Sequence, residues 1–170
     1  MDNISIIIRN RNEAEFIGFA IQSSLDFFEK PEIIVMDNNS TDDSLQVVQY
    51  FNDRTDIKIH NVKNYRPGQS INQAVSLSKN EYILVLSAHT QIINLDFELV
   101  KKELDSHLAV FGKQVPIFRG KKITPRYIWS NFNDKKEINK FSSIENRLFL
   151  HNAFCFYNRD SLIKYPMPEI

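Results

Sequence analysis

The sequence predicts an α/β domain: a mostly parallel central sheet flanked by helices. Three observations carry that prediction. Near-continuous apolar runs at 4–8, 33–36 and 82–86 and an alternating one at 57–60 recur through the first ninety residues. Segments whose apolar residues repeat every three or four positions separate them. Strands that alternate with helices need crossover connections, which make neighbouring strands parallel and cover both sheet faces. At 170 residues the chain fits one domain able to bury a real core, read as a single unit over 1–170 with halves at 1–90 and 91–170.

The run 4–8 reads as a first strand buried on both faces. Asn12 and Glu15 then have the spacing of a capping box, and Phe16, Ile17, Ala20, Ile21, Ser24, Leu25 and Phe28 recur at helical spacing. Pro31 precedes the second strand at 33–36. Ser40 and Asp43 form another capping-box pattern ahead of Leu45, Val48 and Phe51. Ile57 and Ile59 alternate with Lys58 and His60, the pattern of a short half-exposed strand. Pro67 suits the first turn of a helix continued by Ile71, Ala74, Val75 and Ser78, and Asn80 suits a left-handed C-terminal position. A fourth strand follows at 82–86. Beyond it the spacing predicts a helix over 95–108, a strand-like run over 109–118, a polar stretch over 120–140 with Tyr127, Trp129 and Phe132, and a last strand at 153–157.

Composition excludes several classes. Twenty-one basic residues balance twenty-one acidic ones, which argues against a nucleic-acid binder, whose affinity needs a basic field. One cysteine, Cys155, allows no internal disulfide and no cysteine metal cluster; inside an apolar run it reads as packing. The N-terminus carries no signal-peptide pattern, and no apolar run approaches the roughly 20 residues a membrane span needs. A cytoplasmic location fits, with peripheral contact at a membrane left open. Four glycines supply neither the dinucleotide fingerprint nor a phosphate-binding loop with Gly-Lys-Ser/Thr.

Ligands of open parallel sheets bind beyond the carboxyl ends of the strands, so the segments after each strand matter most. They read Arg9-Asn10-Arg11-Asn12-Glu13, Asp37-Asn38-Asn39-Ser40-Thr41-Asp42 and Ser87-Ala88-His89-Thr90. One such polar loop is ordinary helix capping; three on one edge point to a site. Arg9, a cation ending a buried strand, needs an anion or an exit to solvent. Asp37 serves a turn or a ligand equally well, and His89 by its type alone suits a structural role more than a metal ligand. Arg119, Lys121, Lys122 and Arg126 form a basic cluster that suits a solvated loop more than an anionic acceptor.

Together these segments resemble family 2 glycosyltransferases with the GT-A fold. Residues 4–13 resemble the family's opening strand and loop, and Glu32-Ile33-Ile34-Val35-Met36-Asp37-Asn38-Asn39-Ser40-Thr41-Asp42 its second-strand motif. Gly68-Gln69-Ser70-Ile71-Asn72-Gln73-Ala74 is similar to its helix before the fourth strand. Ser87-Ala88-His89 stands where the family usually carries Asp-x-Asp. That triplet, the arginine-bearing first loop, Phe111-Gly112-Lys113-Gln114 with Pro116, and Leu150-His151-Asn152-Ala153 resemble a bacterial rhamnosyltransferase-like subgroup.

The resemblance implies transfer, with inversion, of a sugar from a dTDP- or UDP-linked donor to a saccharide or lipid-linked saccharide acceptor in surface polysaccharide synthesis. It implies that Arg9, Asn10, Arg11, Glu13, Asp37, Asn38, Asn72, Ser87 and Ala88 line the nucleotide site and that His151 and Asn152 border the acceptor. A divalent cation, Mn2+ or Mg2+, is implied by the family, with His89 as the candidate ligand; an imidazole suits Mn2+ better than Mg2+. The family's general base is an acidic residue beyond the matched segment, so the chain reads as truncated before it and Glu169 lies too early to serve. A non-catalytic nucleotide-sugar-binding remnant or partner subunit is the alternative.

Overall fold

The computed structural model describes residues 2–118, 120–122 and 131–169. Its centre is a six-stranded sheet of β1 (Ile4–Asn10), β2 (Glu32–Asp37), β3 (Ile57–Asn61), β4 (Tyr82–Ser87), β5 (Val110–Phe111) and β10 (Phe154–Asn158), in the spatial order β3-β2-β1-β4-β10-β5. The first four strands are mutually parallel where they pair, whereas β10 runs antiparallel to β4 and β5. This bears out the mostly parallel sheet and adds an antiparallel edge. Apolar periodicity reports burial and not direction, so β10 gave no sign of its orientation.

Side chains alternate across β1 and separate two cores. Ile4, Ile6 and Ile8 pack with α1 (Ile17–Phe27), α2 (Ser44–Gln49) and α4 (Phe97–Leu104), while Ile7 packs with α3 (Pro67–Leu77) and α5 (Arg159–Lys164). All four isoleucines are fully buried, each worth about 1.5–3 kcal/mol relative to exposure. Cys155 sits in the second core, and burial pushes its thiol up to about 12, so it packs as a small hydrophobe.

Several local readings are corrected. α1 begins after Phe16 with no side-chain cap, and α2 begins after Asp43, again uncapped; the supposed capping boxes bridge loops instead. Pro67 does open α3, but that helix ends at an extended Ser78. Asn80 is not left-handed; its amide donates to Ile4 O at 2.9 Å and to Ser5 Oγ at 3.1 Å. The helix expected over 95–108 is confined to α4, where Asp96 accepts from Leu99 N–H at 3.0 Å. The run 109–118 splits into β5 and β6 (Ile117–Phe118), the latter paired with β7 (Lys121–Lys122). Gly112 marks the break: a Cβ there would lie 2.4 Å from the Phe154 ring. A hairpin of β8 (Phe141–Ser142) and β9 (Arg147–Leu148), and the six-residue α5, had no periodic signal. Arg119, Arg126, Tyr127 and Trp129 lie outside the described residues.

At the amino end of the sheet, buried Glu32 accepts from Ser5 Oγ at 2.6 Å, Lys58 Nζ at 2.7 Å and Lys79 N–H at 2.9 Å. This polar knot fixes the end of the sheet away from the loops considered next.

Candidate functional site

Strand order reverses beside β1: β2 and β3 lie on one side of it and β4 on the other. The crevice beyond the carboxyl ends of β1 and β4 is therefore the topological switch point where such sheets bind ligands. Arg9 pairs in register with Ser87, and Asn10 with Asp37, so the three predicted loops emerge side by side.

The first two loops are laced together by the residues whose spacing suggests caps. Ser40 Oγ accepts from Asn12 N–H at 3.0 Å, Asn12 Oδ1 accepts from Thr41 N–H at 2.7 Å, Ser44 Oγ accepts from Glu13 N–H at 2.9 Å, and Asp42 accepts from Ala14 N–H at 2.9 Å. Asn12 and Asn39 hold φ of 54° and 52°, left-handed values that asparagine tolerates better than most residues. Short polar side chains that cap helices are the same ones that satisfy loop backbones, so local spacing cannot separate the two uses.

Beneath this lacing Asp37 is 1% exposed. Its Oδ1 accepts from Asn10 Nδ2 at 2.9 Å and Ser40 Oγ at 2.5 Å, and its Oδ2 accepts from Ser40 N–H at 3.0 Å. Asn10 is equally buried. The pair forms the floor of the loops, and of the two residues expected to face base and ribose only Asn38 presents a half-buried side chain without a hydrogen bond among the described residues. Arg11 is exposed and makes no side-chain hydrogen bond or ion pair among the described residues.

Glu13 and His89 meet across 76 positions of sequence, with His89 Nδ1 3.0 Å from Glu13 Oε1. An ionised carboxylate can only accept, so Nδ1 carries the proton of that bond and Nε2 of the neutral ring is left with its lone pair. Ser87 is half-buried with its N–H donating to Ala153 O at 3.0 Å, and Ala88 is buried in the first core. Ala88 therefore contributes to packing beneath the site.

Arg9 reaches the other half of the chain. Its guanidinium donates to Asn152 O at 3.4 Å, while Asn152 Oδ1 accepts a short hydrogen bond from Tyr157. Arg9 has no acidic partner among the described residues, and its Nε is buried without an acceptor there. His151 stacks on Phe149 with centroids 6.1 Å apart and meets Phe132 edge-on. Burial and then the Arg9 cation lower the His151 pKa below its ordinary value, against a smaller opposing pull from Glu145. The expected donor-side and acceptor-side groups thus touch, with Tyr157 as a brace that sequence reading missed.

Asn72 is not free for the donor role expected of it. Its Nδ2 donates to Met167 O at 2.9 Å and Glu169 Oε1 at 2.8 Å, and its Oδ1 accepts from Met167 N–H at 2.8 Å. It clamps residues 167–169 against α3, with Arg66 donating to Glu169 O at 2.9 Å. A cleft of about 510 Å³ lies at the opposite end of the sheet and is lined by residues including Lys79, Asp105 and Arg159; it contains none of the candidate site residues. Among the described residues no three His, Cys, Asp or Glu side chains gather as a metal site, and no helix is long and apolar enough to cross a membrane.

Comparison with known proteins identifies the family and agrees with the fold. The signature of the family described as "Glycosyl transferase family 2" matches residues 5–165. ExoU, a succinoglycan biosynthesis protein of Rhizobium meliloti (strain 1021), is 35% identical over 89 residues, covering 51% of this chain and 26% of ExoU. The S. aureus TarS 1–349 structure in complex with UDP superposes with a TM-score of 0.69 at 20% identity, over 98% of this chain and 50% of TarS. The Pyrobaculum calidifontis mannosyltransferase PcManGT, solved with GDP-Man and Mn2+, gives 0.66 at 15% identity over 98% of this chain and 48% of that one. At those identities the likeness is one of fold. The chain spans about half the length of these solved structures and about a quarter of ExoU.

Proposed function

This chain belongs to glycosyl transferase family 2, and on that premise we propose that it binds a nucleotide-linked sugar in the crevice above β1 and β4 and passes the sugar to a saccharide acceptor in surface polysaccharide synthesis in the cytoplasm. The observation that carries this reading is the Glu13–His89 contact, which joins the first and fourth loops over the switch point while the lacing around Asp37 holds their backbones still. The UDP and GDP-Man complexes of TarS and PcManGT support a nucleoside diphosphate sugar as the donor class, and the likeness to ExoU supports a polysaccharide product. A UDP- or dTDP-linked sugar is the donor.

Asn38 faces the base, and Arg9 and Arg11 meet the diphosphate, Arg9 having no competing carboxylate among the described residues. His151 and Asn152 stand toward the acceptor. The reaction is a single displacement with inversion: the acceptor oxygen forms a bond to the anomeric carbon as the bond to the diphosphate breaks. The diphosphate departs with the bonding electrons, and the hydroxyl proton passes to a general base. Asp37, Glu13 and Asp42 do not suit that base, since Asp37 is buried under its three hydrogen bonds, Glu13 is bonded to His89 and Asp42 accepts from the Ala14 and Ser44 N–H groups.

A divalent cation fits this donor set in one way. His89 Nε2, oriented by Glu13, is a single imidazole ligand of the kind Mn2+ accepts and Mg2+ does not favour. When bound, such a cation would offset charge on the leaving diphosphate. The second reading, a nucleotide-sugar-binding module without turnover, is favoured by Ser87-Ala88-His89, which carries no carboxylate where the family usually has two.

Calorimetric titration with UDP, dTDP and GDP, each with and without Mn2+, tests the proposal. One nucleotide should bind saturably, and Arg9→Ala should weaken it by about tenfold or more, the effect of one lost charge-assisted hydrogen bond. His89→Ala should abolish any Mn2+ enhancement and leave the metal-free affinity in place. Absence of binding by every nucleotide under both conditions overturns the donor-site reading.

A further inference from the structure

Tyr157 lines the second core from β10 and is 3% exposed. A phenylalanine would fill that place with the same ring, so the hydroxyl is not explained by packing. Burying a hydroxyl is unfavourable unless it is hydrogen-bonded. The polar groups beside this one are the Cys155 thiol, a weak partner, and Asn152 Oδ1, to which it donates a short hydrogen bond. Burial and then the Cys155 thiol push the phenol pKa up, against weaker opposing pulls from Arg9 and Asn152. The hydroxyl therefore keeps its proton and remains an uncharged donor.

The sheet register explains how a core residue reaches the crevice. Arg9 follows Ile7 by two positions and so stands on the face of β1 that carries the second core. It pairs with Ser87, whose N–H donates to Ala153 O, while Tyr157 pairs with Ile83, further back along β4. A tyrosine leaning along its strand spans that gap. Asn152, in the turn ahead of β10, then carries both bonds: its side chain is held by Tyr157, and its main-chain oxygen accepts from Arg9 Nη2 at 3.4 Å.

We propose that Tyr157 is a positioning residue for the donor diphosphate, acting through Asn152 to hold the Arg9 guanidinium at the crevice beyond β1 and β4. This role rests on the donor site proposed above and adds the residue that sets its anion-binding geometry. The neutrality of the brace matters. A carboxylate at 152 or 157 would fix Arg9 as firmly, but it would pair with the charge that the diphosphate needs. A phenol and a carbonyl fix the guanidinium and leave its charge uncompensated among the described residues, with Nε still lacking an acceptor there.

A double-mutant cycle on the whole chain tests this, with calorimetric titration of UDP and of dTDP into wild type, Tyr157→Phe, Arg9→Ala and the double variant. Tyr157→Phe should weaken the nucleotide that binds by about two- to tenfold, the range of one neutral hydrogen bond. It should have no further effect once Arg9 is alanine. Asn152→Ala, which keeps the carbonyl and removes the acceptor of Tyr157, should reproduce the loss. A second readout needs no nucleotide: the Arg9 Nε–H resonance, assigned by its disappearance in Arg9→Ala, should exchange with water about fivefold faster or more in Tyr157→Phe. Wild-type binding with unchanged affinity in Tyr157→Phe overturns the role alone, as do additive losses in the double variant or unchanged Nε–H exchange. Failure of wild type to bind either nucleotide overturns the donor site and this role with it.

Discussion

Replacing Asp37 with asparagine tests whether the floor of the site is built as described. The change keeps shape and removes charge. Asp37 accepts three hydrogen bonds, from Asn10 Nδ2 at 2.9 Å, Ser40 Oγ at 2.5 Å and Ser40 N–H at 3.0 Å. An asparagine must turn its NH2 toward either Oδ1's partners or Oδ2's. In the second case it faces the Ser40 N–H, which can only donate; in the first it faces the Asn10 amide, which can accept only by turning over and carrying its Nδ2 to the buried position where its Oδ1 now has no partner. One charge-assisted bond is lost, worth about 1.5–3 kcal/mol, and a buried donor is left unpaired at about 1–3 kcal/mol. Relief from burying a charge offsets part of this, leaving about 2–4 kcal/mol. For a chain of this size that lowers the thermal midpoint by about 5–15 °C. Urea and thermal unfolding of D37N, S40A and the double variant measure it. Ser40 shares all three bonds or their partners, so the two costs should be non-additive by more than about 0.5 kcal/mol. A D37N cost below about 0.5 kcal/mol, or strict additivity with S40A, refutes the bonding scheme.

Two further predictions concern parts of the frame away from the crevice. Burial pushes the Glu32 carboxyl up, but Lys58, Ser5 and the Lys79 backbone N–H together hold it below its ordinary value of 4.5. A depressed folded pKa contributes stability that is present above about 4.5 and lost as pH falls through the folded value, so wild type should exceed E32Q by about 1–3 kcal/mol at pH 7 and the gap should close as pH falls below 4.5. A gap in urea midpoint that does not change with pH contradicts this. Gly68 approaches the terminal segment so closely that a Cβ would lie 1.9 Å from Pro168 O. G68A should displace residues 166–169, break the Asn72 clamp and speed exchange of the Met167 N–H by about tenfold or more. Unchanged exchange together with the modest gain that alanine gives a helix would mean the close approach is not made.

Which parts of the fold could be read in advance follows from what apolar pattern encodes. Strands β1, β2 and β4 were legible as unbroken runs because each is covered on both faces, and α1 and α3 because each buries one stripe. Length limited the rest: α5 and the two-residue strands are too short to display a period. The failure at Asn12, Ser40 and Asp43 has a different cause. The sequence asks for side chains that satisfy nearby backbone groups, and a helix start and a loop beside another loop pose that demand alike. Only the pairing of β1 with β2, which brings 10–14 against 37–44, decides between them.

The same limit governs the site, and it says what kind of evidence each residue needed. Arg9, Arg11, Glu13 and Asn38 could be nominated because strand ends in a parallel sheet all face one crevice. Their division of labour could not, because it depends on partners far along the chain: His89 for Glu13, Asn152 for Arg9, Ser40 and Asn10 for Asp37. Asn72 shows the converse. Its place in a helix that resembles the family's nominated it for donor contact, yet both faces of its amide are taken by a segment 95 positions away. A polar residue at a strand end or helix start is therefore evidence of a demand for hydrogen bonds, and its role follows only from which group meets that demand. Where the protein meets it fully, as at Asp37 and Asn72, the residue frames the site. At Arg9, whose Nε is buried without an acceptor among the described residues, the demand is still open, and an anionic ligand is what would close it.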